Sequence, residues 1–223
     1  MARRKRKPAT RFIVAAVALA GLAALGWVGY RHFDRQQAPI KVSAERVDPA
    51  NEGRRVQVSG RLAVGSAPRD ADMDIDVNAA VLVRKVEMFQ WRERCEHGAA
   101  CTYETAWSSQ RIDSSGFREP QGHENPPMRL VDAHFAGADL KLGAFAADPE
   151  LVAAQVPLAD HPVHSADLPP NLAATFADAN GALYAGGDAS HPRVGEVKVS
   201  YRIAPLGEAV LRGVQHGNRL TAE

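Results

Sequence analysis

One stretch of the sequence, residues 82–107, constrains the fold more than any other. It reads LVRKVEMFQWRERC, EHGAA and CTYETAW, and it contains both cysteines and two of the three tryptophans. Two arms rich in β-branched and aromatic residues flank a short segment with a glycine, which is typical of a β-hairpin. Alignment of Cys95 with Cys101 places Phe89 opposite Trp107, as a stabilising cross-strand pair.

The first arm of this hairpin has an unusual apolar pattern. Val86 and Met88 share one side of an extended chain, whereas Phe89 and Trp91 share the other. A change of side between neighbours indicates either a β-bulge or a strand that is covered on both faces. In both cases we expect this arm to be central in its sheet.

The N-terminal segment has the composition of a membrane anchor. Residues 12–30 (FIVAAVALAGLAALGWVGY) are 19 positions without a charge. As a helix this run spans about 28 Å, close to the thickness of a bilayer's hydrocarbon core. Six of the eight basic residues in 1–35 precede it, and positive charge marks the cytoplasmic side. We therefore expect the N-terminus in the cytoplasm of a bacterial-type inner membrane and the body of the chain outside.

A cleaved signal peptide is the main alternative to this anchor, and a buried core helix is another. A signal peptide has an apolar core of about 7–15 residues before a small-residue cleavage site. Here the run is longer, and the suitable small residues lie in its middle. We therefore expect a single-pass protein with four parts. These are a basic cytoplasmic tail (1–11), a transmembrane helix (12–30), a linker (31–54) and an extracytoplasmic β-rich domain (55–223).

The charge of the chain is divided unevenly between its parts. Residues 1–35 hold eight basic residues and one acid. The remaining 19 basic and 25 acidic residues give 36–223 a net charge of −6. Because nucleic-acid binding requires clustered cations that neutralise phosphate, we expect no nucleic-acid partner.

The rest of the body predicts a mainly β domain. Residues 55–64 and 196–203 alternate apolar and polar side chains, as half-buried strands do. Their similar patterns reflect shared strand chemistry and are compatible with pairing in one sheet. Asp148 before Pro149 marks the start of a short helix, and residues 180–192 form a glycine-rich turn. The expected fold class is α+β, mainly β: an N-terminal transmembrane helix, then an extracytoplasmic domain of mostly antiparallel β-sheet with a few short helices.

The two cysteines are expected to form a disulfide. They lie outside the cytoplasm in this topology, where oxidation is allowed. The hairpin register also brings Cys95 and Cys101 within bridging distance. A zinc site made of these two and His97 would lack a fourth ligand nearby, and a redox pair would need the C-x-x-C spacing.

The sequence carries no recognisable catalytic or cofactor motif. His161 and His164 stand near carboxylates, but Pro162 prevents the helix that would bring the imidazoles together. Ser114 and Ser115 lie outside any G-x-S-x-G elbow, and glycine motifs for phosphate are missing. We therefore expect a non-enzymatic protein without catalytic residues, metal or cofactor, and a hydrolase of unrecognised type is the less favoured alternative.

A family resemblance rests on the hairpin. The segment L-x-R-K-V-E-M-F-Q-W-x-E, followed by a strand with tyrosine that ends in tryptophan, resembles the transmembrane protein 43 (LUMA) family. The family motif has tyrosine where this chain has Phe89, and the resemblance covers about residues 55–215. The residues that match the family pattern are Arg84, Val86, Glu87, Met88, Phe89, Gln90, Trp91, Glu93, Tyr103, Trp107, Asn125, Pro126, Ser200 and Tyr201.

The resemblance implies an architecture and a role but no chemistry. Family members have an N-terminal span, a large extracytoplasmic domain and further C-terminal spans, and the animal protein is described as a scaffold. We therefore expect a single-pass, membrane-anchored scaffold or protein-interaction protein. Its partners would be the membrane, through 12–30, other membrane or envelope proteins, and in homo-oligomers further copies of itself. The alternative is a lipid or small-ligand-binding domain with a pocket beside Phe89, Trp91 and Trp107.

Overall fold

The computed structural model describes residues 38–96 and 100–222. The predicted cytoplasmic tail and the predicted transmembrane helix, 12–30, lie outside these residues and remain predictions. His97 also lies outside the described residues. Among the residues that the structure describes, none of the helices combines the length and the apolar character that crossing a bilayer requires. The compact unit described below begins at Lys41.

This unit is mainly β, in agreement with the expected class. Its strands are β1 (Ile40–Ser43), β2 (Arg55–Ala63), β3 (Arg69–Asp70), β4 (Ile75–Asp76), β5 (Val81–Cys95), β6 (Cys101–Ser108), β7 (Ala133–Ala136), β8 (Lys141–Leu142), β9 (Phe145–Ala147), β10 (Ala159–His161), β11 (Ala177–Ala179), β12 (Ala182–Ala185), β13 (Val197–Ala204), β14 (Gly207–His216) and β15 (Arg219–Thr221). The α-helices are α1 (Pro149–Gln155) and α2 (Pro170–Ala173). Short 3-10 turns lie at Pro49–Asn51, Ser114–Gly116 and Ser165–Asp167.

The first sheet closes on itself. Its order is β1-β2-β14-β15-β9-β8, and β8 also pairs with β2, so five strands form a ring with β1 outside it. The pairing of β15 with β9 is parallel, whereas β2 pairs with β14 and β8 in antiparallel fashion. The fully buried apolar side chains of the ring are Val56, Val58, Leu62, Leu142, Phe145, Leu211 and Leu220.

The second sheet is built around β5, as expected for the first arm of the hairpin. Its order is β11-β12-β13-β5-β6, with β10 added to β13 and β7 added to β5. One edge of β5 pairs with β13, and the other pairs with β7 and then β6. A separate core lies against this sheet, formed by Met73, Ile75, Leu82, Val86, Val163, Leu168, Leu183, Val199 and Tyr201.

The register of β5 runs from Val81 to Cys95 without a bulge. The even-numbered side chains from Leu82 to Gln90 are all buried, and the odd-numbered ones from Phe89 to Glu93 are half-buried on the opposite face. The apolar pattern changes side after Met88 because the next core-face position holds the polar Gln90, whereas the outer face holds the aromatic Phe89 and Trp91. Of the two interpretations of the pattern, coverage on both faces is the one found.

Several local predictions are confirmed. Cys95 lies opposite Cys101 and Phe89 lies opposite Trp107, and a disulfide joins the two cysteines. The side chain of Asp148 accepts a hydrogen bond from the backbone N–H of Glu150 at the start of α1. This capping satisfies one of the free N–H groups of the first turn.

Other predictions fail for physical reasons. The two similar segments form strands β2 and β13, as predicted, but these lie in different sheets and do not pair with each other. The ten-residue strand β14 contains two glycines, Gly207 and Gly213. Gly213 is needed there because a Cβ at this position would lie 2.3 Å from the backbone oxygen of Thr221. The glycine-rich segment 180–192 likewise contains the buried strand β12. Part of the predicted linker, 31–54, forms β1 and a 3-10 turn.

Candidate functional site

The core face of the motif carries a buried ion pair. Arg84 on β5 is 3% exposed and Asp70 on β3 is 0% exposed. The guanidinium Nη1 lies 2.7 and 2.8 Å from the two carboxylate oxygens of Asp70. The hydroxyl of Tyr201 on β13 donates to the same carboxylate at 2.7 Å. Because a buried charge is costly unless paired, these three side chains form one structural unit.

The remaining donors of Arg84 are also satisfied. Its Nε donates to the backbone oxygen of Val131 at 3.1 Å, and its Nη2 donates to the exposed Asp72 at 3.0 Å. Burial lowers the pKa of Arg84, but the hydrogen bonds and charges of Asp72 and Asp70 outweigh it, so the pKa is raised. Burial, followed by the hydrogen bond to Asp70, raises the pKa of Tyr201. The arginine therefore stays charged and the phenol stays neutral.

Gln90, further along the same face, holds the loop that follows β6. Its side-chain Nε2 donates to the backbone oxygen of Gln110 at 3.1 Å. Its Oε1 accepts from the backbone N–H of Ile112 at 2.8 Å. Gln90 is 0% exposed, so these bonds replace the water that the amide loses on burial.

Asn125 completes the edge of β5 beyond the end of β13. Its Oδ1 accepts from the backbone N–H of Trp91 at 2.7 Å, and its Nδ2 donates to the backbone oxygen of Trp91 at 2.9 Å. This two-point contact reproduces the pattern by which a neighbouring strand would pair. The backbone N–H of Asn125 donates to the hydroxyl oxygen of the buried Ser114 at 2.8 Å, which fixes the loop that supplies the amide.

Pro126 and Ser200 lie beside different parts of β5. Gly195, with φ of +95°, donates its N–H to the backbone oxygen of Phe89. A Cβ at Gly195 would lie 3.0 Å from the ring of Pro126. Ser200 on β13 lies opposite Lys85 on the outer face of β5. The segments around 125 and 195 thus continue the edge pairing of β5 between them.

Aromatic and acidic side chains cover the outer face of the hairpin. The hydroxyl of Tyr103 donates to the carboxylate of Glu93 at 2.8 Å, and the backbone N–H of Arg118 donates to the same oxygen at 2.7 Å. These bonds, the backbone one first, lower the pKa of Glu93. The ring of His123 stacks on Tyr103 with centroids 3.8 Å apart and meets the edge of Trp91 at 4.7 Å.

A groove lies beside Trp107 on the same face. Trp107 packs against Phe89 at 5.3 Å between centroids, and the ammonium of Lys198 lies 4.9 Å from the centre of its ring. Glu87 binds Lys198 at 3.0 Å, and Tyr184 contacts the edge of Trp107. A cavity of about 420 Å³ that is open to solvent lies here, and it is lined by Glu87, Trp107, Ala179, Asn180, Ala182, Tyr184, Ala189, Lys198 and Ser200.

The charges of this groove are fixed by hydrogen bonds. Burial raises the pKa of Glu87, but Lys198 and Lys85 outweigh it, so the pKa is lowered. The hydroxyl of Tyr184 donates to Glu196. Burial, followed by this hydrogen bond, raises the pKa of Tyr184 to about 12. The groove therefore presents a neutral phenol beside a carboxylate–ammonium pair at neutral pH.

The described residues show one cluster with metal-ligand types, and its chemistry is wrong for a metal. Glu93, Cys95 and Cys101 bring their ligand atoms within 4.8 Å of one another. The two sulfurs are joined in a disulfide, and only a thiolate is an effective ligand. The carboxylate of Glu93 is already bound to Tyr103 and Arg118.

The histidine clusters do not have the geometry of a proton relay. Ser190 and Asp188 both contact the same ring nitrogen of His191, Nδ1, at 3.0 Å. A catalytic triad needs the serine and the acid on opposite nitrogens. His164 contacts Asp178 at 3.2 Å on the surface. The structure does not bring His164 and His161 into a common site with other ligand-type residues.

Sequence reasoning missed Asp70, and it did not predict the contacts of Ser114, His123 and Glu196. Asp70 belongs to a run of four acids in the turn between β2 and β5, and alternation in so short a strand is too weak to show which one is buried. A signal was present in Arg84, because an arginine at a core position of a central strand requires a carboxylate partner. Glu196 accepts from Tyr184 and from the backbone N–H groups of Gly187 and Arg193, and so closes the β12–β13 connection.

The structure defines a mostly antiparallel β domain. Its central strand, β5, has buried apolar and polar side chains on one face and aromatic side chains on the other. The family model for transmembrane protein 43 matches residues 88–222, which include the second arm of the hairpin, Asn125 and β13. The chain therefore belongs to the transmembrane protein 43 family, and that family is named for membrane proteins.

Curated relatives bear the same name. Transmembrane protein 43 of Homo sapiens is 34% identical over 115 residues, which cover 46% of this chain and 29% of the human one. The mouse protein is 31% identical over the same length and the same shares. The Drosophila melanogaster homolog is 29% identical over 113 residues, which cover 45% of this chain and 30% of its own. The match thus spans less than a third of each relative. No solved structure matches the chain.

Proposed function

We propose that this chain is a single-pass, membrane-anchored interaction protein whose β domain presents an aromatic face to protein partners outside the cytoplasm. Residues 12–30 would supply the anchor, and the domain would act as a scaffold without chemistry of its own. Membership of a membrane-protein family supports the anchoring. The disulfide between Cys95 and Cys101 supports a location outside the reducing cytoplasm.

The concentration of aromatic rings on the outer face carries the proposal. Of the ten aromatic residues in the described part of the chain, six lie on this face or in the loop against it: Phe89, Trp91, Tyr103, Trp107, Phe117 and Tyr184. All except Tyr184 are half-buried and so remain accessible. Tyrosine and tryptophan are enriched at the energetic centres of protein interfaces.

The polar motif residues support a structural role. Arg84 donates hydrogen bonds to Asp70, and Gln90 donates to the backbone of the loop after β6. Asn125 donates to the backbone oxygen of Trp91. Such contacts hold the aromatic face rigid, which lowers the entropic cost of binding. The groove beside Trp107 favours a second candidate, binding of a small ligand that carries an apolar part. Native mass spectrometry of the purified full chain would show such a ligand as an added mass that Trp107→Ala removes.

Photo-crosslinking in living cells tests the interaction proposal. A photoreactive phenylalanine analogue replaces Phe117, on the outer face, and in a matched control it replaces Val210, which is 49% exposed on the first sheet. We expect discrete protein adducts from position 117 and not from position 210. The same adducts from both positions, or none from position 117, would contradict the aromatic face as the binding surface.

A further inference from the structure

Strand β6 is an open edge of the second sheet. The sheet ends at β6 on one side and at β11 on the other. β6 has 8 residues, whereas β11 has 3 and the edge strand of the first sheet, β1, has 4. A long unpaired edge offers a row of backbone donors and acceptors to another strand.

The contacts of β5 show which backbone groups of β6 point outward. The backbone groups of Phe89 and Trp91 bond to the segment at 195–196 and to Asn125, away from β6. The alternate residues of β5 therefore bond to β6, and in an antiparallel ladder their partners there point back. By this alternation Tyr103, Thr105 and Trp107 direct their N–H and C=O groups outward. Among residues 38–96 and 100–222 these groups find no partner.

The edge lacks the features by which proteins block strand addition. Proline, lysine and bulges are common on protected edges, and β6 (CTYETAWS) has none of them. Its one charged residue, Glu104, is paired with Arg94 of the neighbouring strand at 2.7 Å. The disulfide between Cys95 and Cys101 holds the end of the edge against β5.

We propose that β6 pairs with β6 of a second copy of this chain, in antiparallel orientation and centred on Thr105. In this register Thr105 lies opposite its own copy and Tyr103 lies opposite Trp107 of the second copy, on the outer face. Glu104 lies opposite Ala106 of the second copy. The two sheets thereby join into one, and the aromatic faces of both copies become continuous.

Charge and side-chain pairing select the second copy and this register. Two neighbouring two-fold registers, centred on Glu104 and on Ala106, also keep the outward groups facing each other. The first would oppose two glutamates, and neither places Tyr103 opposite Trp107. The register centred on Thr105 opposes no like charges and forms two tyrosine–tryptophan pairs. Aromatic cross-strand pairs are among those that stabilise antiparallel sheets. The strand is therefore complementary to itself.

Cysteine crosslinking of the full chain in its membrane tests the register. A Thr105→Cys variant is treated with a short bismaleimide, with Thr102→Cys, an exposed position of the same strand, as the matched control. Facing residues 105 would have Cα atoms about 5.5 Å apart, whereas residues 102 of the two copies would be roughly 20 Å apart. The native cysteines are joined in a disulfide and do not react.

We expect a dimer band from Thr105→Cys at least tenfold stronger than from Thr102→Cys. Equal dimer bands from the two variants would refute the proposed register. An adduct between the Thr105→Cys chain and a different protein would refute the proposal that a second copy of this chain pairs with β6. An unlinked monomer would overturn the pairing itself.

A second variant guards against misfolding. Thr105→Pro removes an N–H that points outward and leaves the ladder with β5 intact. We expect it to abolish the dimer in light scattering of the detergent-solubilised chain while the far-UV circular dichroism is retained. A folded Thr105→Pro variant that still dimerises would refute pairing through this edge.

Discussion

At the scale of single residues, the buried contact of Arg84 with Asp70 matters most for stability. Both side chains are nearly inaccessible, and Tyr201 adds a third member from β13. The unit joins β3 to two strands of the second sheet through side chains alone. Removal of one partner leaves the other buried without compensation, and this loss exceeds the net value of the pair.

Asp70→Asn should therefore be strongly destabilising. It removes the charge that compensates Arg84, and we expect a loss of about 3–5 kcal/mol in the free energy of unfolding. Urea titration of the detergent-solubilised full chain, followed by tryptophan fluorescence, measures it. Asp72→Asn is the control, because Asp72 is exposed and also binds Arg84, and there we expect a loss of about 0–1 kcal/mol. Equal losses in the two variants would show that burial of Asp70 is not decisive.

At the scale of elements, β5 depends on side chains that imitate a neighbouring strand. β13 stops pairing at Met88. Beyond it, the edge of β5 bonds to the backbone at 195–196 and to the amide of Asn125. The loop between β6 and β7 thus replaces a strand, and it contacts Gln90 on one face of the hairpin and Tyr103 on the other.

Asn125→Ala tests this replacement. It leaves the N–H and C=O of Trp91 without their partner, and we expect a loss of about 1–3 kcal/mol in stability. Hydrogen exchange should be faster at the amide of Trp91 and in the loop than in β2. The exposed Asn171 provides the control substitution, Asn171→Ala, with little change. Unchanged exchange at Trp91 in Asn125→Ala would contradict the role of the amide.

The hairpin was predictable because its signal is local. Two cysteines and two aromatic arms fix one register, and that register is confirmed from Cys95 to Phe89. The position of β5 in the sheet was also predictable from its apolar pattern. The strand mimicry of Asn125 was not, since it depends on a contact 34 residues away in sequence. The position of Phe89, Trp91 and Trp107 on the outer face was not predicted either. Arg84 and Gln90 occupy buried positions on the opposite face of β5.

At the scale of the whole molecule, two sheets with separate cores form the unit. The mainly β class could be predicted from alternation in β2 and β13, whereas the partners of these strands could not. Each of the two pairs with strands distant in sequence, and alternation shows a buried face without showing what covers it. The pairing of Asp70 on β3 with Arg84 could not be predicted either, because the pattern of β3 does not show which strand covers it.

Acid should weaken the whole molecule. The carboxylates with a clear pKa shift in the described chain all shift downward, and they are Glu52, Glu87, Glu93, Asp113, Glu124, Asp178, Asp188 and Glu196. A lowered pKa in the folded state gives stability that is complete above the unfolded value, about 4. That stability is lost as pH falls through the folded value.

We therefore expect the urea midpoint to stay level from pH 7 to about pH 5 and to fall below about pH 4. Glu196→Gln should reduce this acid dependence, because the hydrogen bonds of Glu196 with Tyr184, Gly187 and Arg193 lower its pKa. Glu208→Gln, at an exposed position on β14, is the matched charge-removing control. A midpoint that rises toward acid would contradict the expected sign.

The closed ring of the first sheet has a consequence for how the chain folds as it is made. β2 begins at Arg55, yet its longest partner, β14, begins only at Gly207. During synthesis β2 therefore waits for about 150 further residues to emerge, which at roughly 5–20 residues per second takes on the order of ten to thirty seconds. Pairing over such long sequence separations is also slow in itself. The nascent domain thus has an extended interval in which β2 lacks its longest partner, and a holding chaperone at the site of emergence would find its substrate there.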